Sequence, residues 1–489
     1  MTDKFQSDQA KAEALDNARP FDVHKWSDFP EVNNAITQLY NEVTLLTNTR
    51  DSERIKTKHI KIIALDLYVN WFGDPDRYVS FHRSKTAYKR DSRYNKINVS
   101  YKIVAVIDAL HKLGYVETYK GFHDIQGNKS KLSRMKATDK LIDLIQNKHK
   151  VTRQSISKYK ETETIILRDW VKHKVGDKVV ERKEDIEYTD NRQTKKMREE
   201  LQAYNDLLQR TDIRIPDTDA EYIKTIISKK AKKPRNKSKP RKIVLNDPDY
   251  FVRRVFNNGS WEQGGRYHGG WWQRINGDLR VCITFNGSEE RPCEVDYSGL
   301  HIVILYAMEG IDYWDKYGRD NDPYKLDGYE LTDRMRGLLK LVLLASVNAS
   351  DRATAVQAVQ KEINFSHNDD DEGLSWVNDE PDVDLSELIE AFAIRHKPIK
   401  EYLCTGIGLK LQHLDSLIAE KVVNHFTSKG IPTLCIHDSL LIDNKHSTEL
   451  VNIMNTAFKE IISEYTSVSV DIESLMKMTT WYDTLMKYE

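Results

Sequence analysis

Two short segments decide how this chain folds: Val295-Asp296-Tyr297-Ser298-Gly299-Leu300-His301 and Ile436-His437-Asp438-Ser439. Each places an aspartate at the end of an apolar, β-prone run, residues 291–295 and 432–436. Two strand-end carboxylates can together hold two Mg²⁺ ions about 3.5–4 Å apart, which suits a phosphoryl displacement. Because Mg²⁺ takes few carboxylates and completes its shell with water and substrate phosphates, the pattern predicts Asp296 and Asp438 as ligands of two Mg²⁺ ions, with Mn²⁺ as an alternative.

An apolar, helix-like segment, residues 336–348, lies between the two aspartates. Arg336 and Lys340 stand at positions i and i+4, on one face of that helix. Two cations on one strip suit a triphosphate, whereas a core helix with two solvated basic residues would show the same pattern. The flanking aspartates favour the triphosphate.

The order of these segments resembles a known superfamily. Asp296-Tyr297-Ser298 with its apolar continuation resembles motif A of family A DNA polymerases, and His437-Asp438-Ser439 resembles motif C of the single-subunit RNA polymerases of phages and mitochondria. Arg336 and Lys340 match motif B, although Asn348 replaces its aromatic residue. Residues 261–267 resemble the Asp-x-x-Gly-Arg element, with glutamate for aspartate. The resemblance covers roughly residues 250–445.

The resemblance implies a role for each matched residue. Lys340 and Arg336 would bind the triphosphate, with Lys340 able to protonate the leaving group, and His437 would orient the primer end. Arg266 would position a nucleic-acid strand, and Gln412 would read the minor groove at the primer end.

The residues that follow Arg266 offer further nucleic-acid contacts. Trp271 and Trp272 add stacking surface and Arg274 adds a cation, beside glycines that permit close backbone approach. The competing interpretation is a glycine-rich turn with buried tryptophans.

Two positions bear on the choice of sugar. His301 stands where the DNA polymerases of this superfamily carry a glutamate, and Asn348 stands where the RNA polymerases carry a tyrosine. Both depart from the pattern, so the choice between dNTP and NTP stays open.

Charge is balanced overall but segregated along the chain. Lys plus Arg number 75, as do Asp plus Glu. Nine cations and no acid fall in residues 229–242, among them Lys229, Lys230, Lys232, Lys233 and Arg235. This stretch is either a solvated linker or an electrostatic clamp on nucleic acid. Residues 366–384 are expected to form an acidic surface loop.

The sequence contains no apolar run near the ~20 residues that span a bilayer, and no signal-peptide core. Four cysteines show no CxxC spacing. We therefore expect a soluble, cytoplasmic protein in a reducing compartment, with no membrane partner, and a phage or plasmid origin fits the resemblance.

The region before residue 250 lies outside the resemblance. Residues 1–50 predict a lead with one helix (31–46). Residues 51–150 predict a winged-helix-like DNA-binding domain: helices 58–70 and 99–113, strands 115–119 and 133–138, a wing tip at 121–128, and a cation-rich helical segment carrying Arg83, Lys85, Lys89, Arg90, Arg93 and Lys96. Such modules also dock proteins. Residues 151–228 predict strands 164–170 and 179–188 and a helix, 194–209, that is either a thumb or a spacer.

The predicted fold class is α+β: a right-hand polymerase palm with helical fingers and thumb (243–489), preceded by a winged helix. The predicted function is a template-directed nucleotidyltransferase acting in replication or priming, with nucleoside triphosphates and a single-stranded or primed DNA template as partners. The main rival is a replication-initiator or DNA-binding protein with a degenerate palm, and a metal-dependent nuclease would need more clustered carboxylates.

Overall fold

The computed structural model describes residues 12, 14–47, 52–89, 91–124, 129–175, 178–220, 223–224, 245, 250–297, 299–318, 321–365, 374–380, 383–466, 476–480 and 483. Within these residues the chain is a mixed α+β protein. It divides into two compact units, Met1–Thr164 with Arg241–Phe251, and Ile165–Pro240 with Val252–Glu489.

The first unit builds its core around one buried helix. Its longer helices are α1 (Pro30–Leu46), α2 (Glu53–Gly73) and α3 (Ile103–Lys112), followed by a short α4 (Asp139–Ile142). Every residue from 59 to 70 of α2 is buried, as expected of a helix packed on all sides. Asp66 is among them, and its carboxylate accepts a hydrogen bond of 2.6 Å from Arg19.

A four-stranded sheet packs beside these helices, in the order β1-β3-β7-β4. The strands of this unit are β1 (Arg19–Pro20), β2 (Lys25–Trp26), β3 (Val79–Phe81), β4 (Val116–Tyr119), β5 (Phe122–Asp124), β6 (Lys129–Lys131), β7 (Ser133–Ala137) and β8 (Ser157–Lys158). The helices predicted at 31–46, 58–70 and 99–113 and the strands predicted at 115–119 and 133–138 are confirmed to within about five residues. Of the predicted wing tip at 121–128, residues 125–128 lie outside the described residues.

The cation-rich segment before α3 differs from the prediction. It contains two 3₁₀ turns, Lys85–Ala87 and Arg93–Asn95, in place of a helix. Ser84 and Ser92 cap these turns with their hydroxyls, a local bonding pattern that competes with a continuous helix. Arg83 forks onto Asp108 of α3 at 3.0 and 2.6 Å.

The second unit contains two four-stranded sheets. The order of one is β10-β9-β12-β13, and that of the other is β16-β17-β15-β18. The strands are β9 (Ile165–Val175), β10 (Lys178–Asp185), β11 (Ile213–Arg214), β12 (Val252–Asn257), β13 (Ser260–Gly269), β14 (Thr284–Phe285), β15 (Pro292–Tyr297), β16 (Thr433–Ile436), β17 (Ser439–Asp443) and β18 (Met476–Thr480). All pairs in the second sheet are antiparallel.

The described residues of this unit form nine α-helices. They are α5 (Arg192–Arg210), α6 (Gly277–Arg280), α7 (Leu300–Met308), α8 (Tyr313–Tyr317), α9 (Asp333–Asn348), α10 (Arg352–Phe365), α11 (Leu385–Arg395), α12 (Gly408–Ser428) and α13 (Ser447–Tyr465). The helices predicted at 194–209 and 336–348 are confirmed within α5 and α9.

Helix α5 packs on the strands and is not a free spacer. It begins with a capping box between Asn191 and Thr194. Asn205 exchanges two hydrogen bonds with the backbone of Val252, at 2.9 and 2.8 Å. Tyr204 donates to the carbonyl of Thr433 at 2.6 Å. These contacts tie α5 to both sheets.

In the part of the chain that the structure describes, no helix combines the length and apolar character needed to cross a membrane.

Candidate active site

A tight hairpin places the second aspartate. Strand β16 ends at Ile436 and β17 begins at Ser439, so His437 and Asp438 form a two-residue turn. His437 has φ of 59°, an uncommon value for a residue with a side chain. Strand β17 pairs with β15 so that Ser439 stands opposite Asp296. The two aspartates therefore lie at the same end of neighbouring strands.

The pKa of Asp296 reflects the charged side chains that surround it. Burial raises the pKa of Asp296 to about 7, and the carboxylates of Asp438 and Glu294 add to the rise, while Lys340 opposes it. Like charges brought together disfavour ionisation, and a nearby cation favours it. The structure thus assembles Asp296, Asp438 and Lys340 from a strand, a turn and helix α9.

The third carboxylate, Glu294, is already engaged. Arg280 donates to its two oxygens at 2.8 and 2.7 Å, and Ser439 donates to one of them at 2.6 Å. Sequence reasoning gave Glu294 no part. Two residues before Asp296, it shares that residue's face of the strand, which is the signal that could have found it.

The donor set that remains is a pair of aspartates. The described residues contain no group of three or more His, Cys, Asp or Glu side chains that could hold a metal ion. The side chain of Asp296 is half-buried and its pKa is raised in part by the neighbouring Asp438 carboxylate, a repulsion that a divalent cation would relieve. Mg²⁺ binds through one or two carboxylates plus water and phosphate oxygens, so Asp296 and Asp438 fit it.

Helix α9 presents the two expected cations differently. Lys340 is exposed and acts electrostatically on Asp296. Arg336 donates from Nε to Asp322 at 2.5 Å, and its guanidinium lies 5.1 Å from the ring centre of Tyr324. Arg336 is therefore held by the segment before α9, whereas Lys340 is held by no ion pair within the described residues.

Tyr324 is a neighbour of this site that sequence reasoning missed. Burial raises the pKa of its phenol to about 12, with Asp322, Asp438 and Asp296 contributing and Arg336 opposing. The phenol thus lies within electrostatic reach of both aspartates. No motif marks it, because it stands in an irregular segment between α8 and α9.

Asp415, a buried aspartate on α12, contacts two of the predicted site residues, Arg266 and His301. Arg266 donates from Nε to Asp415 at 3.0 Å and also pairs with it through Nη2. His301 Nε2 lies 3.0 Å from the same carboxylate. The Asp415 side chain is fully buried, while those of Arg266 and His301 are exposed by 18% and 19%. We call these three residues the Asp415 cluster.

Asp415 was also missed. It stands four residues after Leu411, so it lies on the apolar face of its helix. A carboxylate on such a face needs a cationic partner, and that is the signal that could have found it.

The glycines beside Arg266 serve packing. Gly265 has φ of +88°, and a Cβ there would come within 2.8 Å of Ser416 Oγ and 2.7 Å of the Phe256 ring. Strand β13 therefore approaches α12 closely, as only glycine permits. The expected close approach is present, but its partner in the structure is a helix.

The stacking role predicted for the tryptophans is wrong. Trp271 and Trp272 are both 0% exposed, and Trp272 donates to the carbonyl of Cys435 at 3.3 Å. The two indoles are core residues, because the 3₁₀ turn that carries them packs against β16. Arg274, at the end of that turn, is exposed.

The remaining predicted residues are placed as follows. Burial lowers the pKa of His437, and its ring lies 5.7 Å from that of His268. Gln412 is partly exposed on α12. Asn348 donates to the Leu344 carbonyl at 2.8 Å and abuts Gly408. Asn348 thus meets α12 at its first residue, whereas His301 contacts Asp415 further along the same helix. Lys229, Lys230, Lys232, Lys233 and Arg235 lie outside the described residues, as does much of the expected acidic loop.

No family model and no curated protein matches the sequence. Among solved structures, the chain is similar to the POL domain of Pol1 from M. smegmatis in complex with DNA primer-template and dNTP, with 12% identity and a TM-score of 0.28. The match covers 55% of this chain and 52% of that one, so it spans about half the length of the polymerase domain.

Proposed function

We propose that this chain is a template-directed nucleotidyltransferase that joins nucleotides by a two-metal mechanism, acting in replication or priming. One observation carries the proposal. The antiparallel pairing that sets Ser439 opposite Asp296 brings two strand-end carboxylates together, with Lys340 within electrostatic reach.

Asp296 and Asp438 would hold the two Mg²⁺ ions, with Mn²⁺ as an alternative. When bound, such ions lower the pKa of the attacking 3′-hydroxyl and neutralise the departing pyrophosphate. Asp296 is fixed by a strand that is paired on both sides. Asp438 is fixed by a two-residue turn, so little reorganisation is needed when substrate arrives.

Lys340 and Arg336 would bind the triphosphate. Lys340 is exposed and unpaired within the described residues, which makes it the first cation available to a phosphate and the candidate proton donor to the leaving group. Arg336 would exchange Asp322 for a phosphate, and the stacked Tyr324 ring keeps its guanidinium close to α9.

Nucleic-acid contacts would come from both units. Arg266 uses Nε and Nη2 on Asp415, which leaves its Nη1 for a strand phosphate. Arg274 and Gln412 offer further exposed contacts, His437 would orient the primer end, and the 229–242 cations would add a clamp. In the first unit, helices α2 and α3, the β3-β7-β4 sheet and the β5–β6 hairpin support the proposal of a winged-helix module on DNA.

The sugar choice would depend on His301. With Nε2 turned to Asp415, its other ring nitrogen is the one that can meet a ribose hydroxyl. Asn348 would act beside it. We propose that the pocket tolerates both sugars.

The alternative is a replication initiator with a degenerate palm. The ion pair of Arg336 with Asp322 supports it, because an arginine held in this way is not available to a triphosphate. One experiment separates the two. The protein is incubated with primed or unprimed single-stranded DNA, Mg²⁺ and labelled NTPs or dNTPs. The wild type should give extension or de novo product. Asp296→Asn and Asp438→Asn should abolish it while template affinity stays within about two-fold.

The matched control is Glu290→Gln, which removes an exposed carboxylate just before β15 and should keep full activity. Incorporation above a few per cent in either aspartate variant would contradict the two-metal assignment. DNA binding by the wild type without any incorporation would favour the initiator.

A further inference from the structure

A cleft in the first unit is unrelated to the proposed catalytic residues. It encloses about 1110 Å³ beside the first turns of α2. That is ample room for a nucleotide, since small-molecule sites usually span about 300–1000 Å³. The walls that matter here carry Trp26, Arg54, Lys58, Lys61, Lys96 and Tyr159.

The cleft is electropositive. Four of its lining side chains are cations, and among the described residues that line it Glu53, at the exposed rim, is the single acid. Lys61 is 94% buried, is anchored by the Ser27 carbonyl at 2.7 Å and by Asn33 at 2.8 Å, and lies 4.0 Å from the exposed carboxylate of Asp28, which partly offsets its charge. Arg54 and Lys96 are exposed and form no ion pair within the described residues. The cleft therefore attracts an anion and has two cations available to bind it.

An aromatic corner forms another wall. The rings of Trp26 and Tyr159 meet edge to face, 5.4 Å between centres at 73°, and both side chains are partly exposed. Lys61 Nζ lies 4.5 Å from the Trp26 ring centre. A flat, π-bearing group that enters the cleft would find stacking surface here.

Two polar features are also unsatisfied. Helix α2 starts at Glu53 without a side-chain cap. The amides of Ile55 and Lys56 donate to the Ser52 carbonyl, which leaves those of Glu53 and Arg54 at the positive end of a 21-residue helix for a ligand. Ser100, a lining residue only 6% exposed, has a buried hydroxyl without a hydrogen-bond partner in the described part of the chain. Buried hydroxyls are ordinarily bonded, so a ligand oxygen would complete this one.

We propose that this cleft binds a nucleotide unit bearing a 5′-phosphate or 5′-polyphosphate, with its phosphates on Arg54, Lys96 and the start of α2 and its base on the Trp26–Tyr159 corner. A free nucleoside triphosphate and the 5′-phosphorylated end of a strand share this chemistry. The binding needs no metal ion, since its charge partners are side chains and helix amides.

Calorimetric titration of the full-length protein in EDTA tests the proposal, because the proposed catalytic site needs metal. The probes are ATP, inorganic tripolyphosphate, and oligo(dT) with a 5′-phosphate or a 5′-hydroxyl. The Arg54→Gln/Lys96→Gln variant should weaken binding of ATP or of the phosphorylated strand at least ten-fold. Tyr159→Ala should weaken binding of ATP but leave binding of tripolyphosphate unchanged. Lys120→Gln, which removes an exposed cation elsewhere in the unit, should change neither.

The outcomes are distinct. Binding of ATP alone, or of the phosphorylated strand alone, supports the proposed nucleotide site and shows whether its ligand is a free nucleotide or a strand end. Unchanged affinity in the double variant, or the absence of ATP binding together with equal affinity for 5′-phosphate and 5′-hydroxyl strands, would overturn it. Loss of ATP binding in Lys340→Ala would assign the nucleotide to the other site instead. Circular dichroism and the thermal midpoint confirm that each variant is folded.

Discussion

The Asp415 cluster yields the most demanding prediction, because one buried carboxylate serves two partners. In Asp415→Asn the shape is kept, but Arg266 loses the charge that balances it and His301 loses its acceptor. Removing one partner of a buried ion pair costs about 3–5 kcal/mol. Arg266 and His301 keep 18% and 19% exposure, so some charge can turn to water. We therefore expect the free energy of unfolding to fall by about 2–4 kcal/mol.

The assay is urea denaturation followed by circular dichroism and tryptophan fluorescence, with the transition of the second unit fitted separately. A double-mutant cycle isolates the pair. Asp415→Leu and Arg266→Met should each destabilise strongly, whereas the double variant should recover at least half of the loss, because replacing both partners leaves no unpaired charge. A coupling below about 0.5 kcal/mol, the usual worth of an exposed pair, would refute the view that the cluster is buried and cooperative.

Four further outcomes follow from the same contacts. Lys340→Ala should lower kcat and raise KM for nucleotide together, since its charge meets both bound and developing anions; an effect on template affinity alone would place Lys340 in a nucleic-acid groove. Burial lowers the pKa of His396 from 6.5 to about 4. Between these pH values the imidazole binds a proton in the unfolded chain but stays neutral in the folded chain. The free energy of unfolding, which is highest above pH 6.5, should therefore fall by about 3 kcal/mol as the pH is lowered to 4. Urea titrations should show that decline reduced in His396→Phe, and an identical pH profile would contradict it. Replacing the cations of residues 229–242 by glutamine should flatten the salt dependence of DNA binding by roughly 0.7–0.9 log units per lost phosphate contact, and an unchanged slope would leave the stretch as a linker. His301→Ala should change the NTP/dNTP incorporation ratio about ten-fold, or about 1.4 kcal/mol, and a constant ratio would remove His301 from the sugar pocket.

The secondary structure near the site could be read from local patterns. The apolar runs before Asp296 and Asp438 became β15 and β16, and the helical period around residues 336–348 became α9. Periodicity works here because each element buries its own apolar face against a neighbour, a property that lies within a few residues of sequence.

The partners of charged residues could not be read in this way. Arg266 and Asp415 are 149 residues apart in sequence, and only the packing of β13 on α12 unites them. The same limit explains why the ion pair of Arg336 was not predicted. An i,i+4 pattern shows which face of the helix a cation occupies, but not that Asp322 lies beside that face. It also explains Trp271 and Trp272, because an aromatic pair after a glycine turn has the same sequence whether it is exposed or buried.

The register of β15 against β17 is the feature on which the candidate site depends. Side chains alternate across a strand, so a slip of one residue would turn Asp296 to the opposite face and away from Asp438. One side-chain interaction supports this register: Ser439 of β17 donates to Glu294 of β15, which Arg280 holds in turn. The two-residue turn at His437–Asp438 fixes the register of β16 against β17, and with it the position of Asp438. Glu294 thus stabilises the pairing of β15 with β17. Because Arg280 neutralises it, Glu294 does not add its full negative charge beside Asp296 and Asp438.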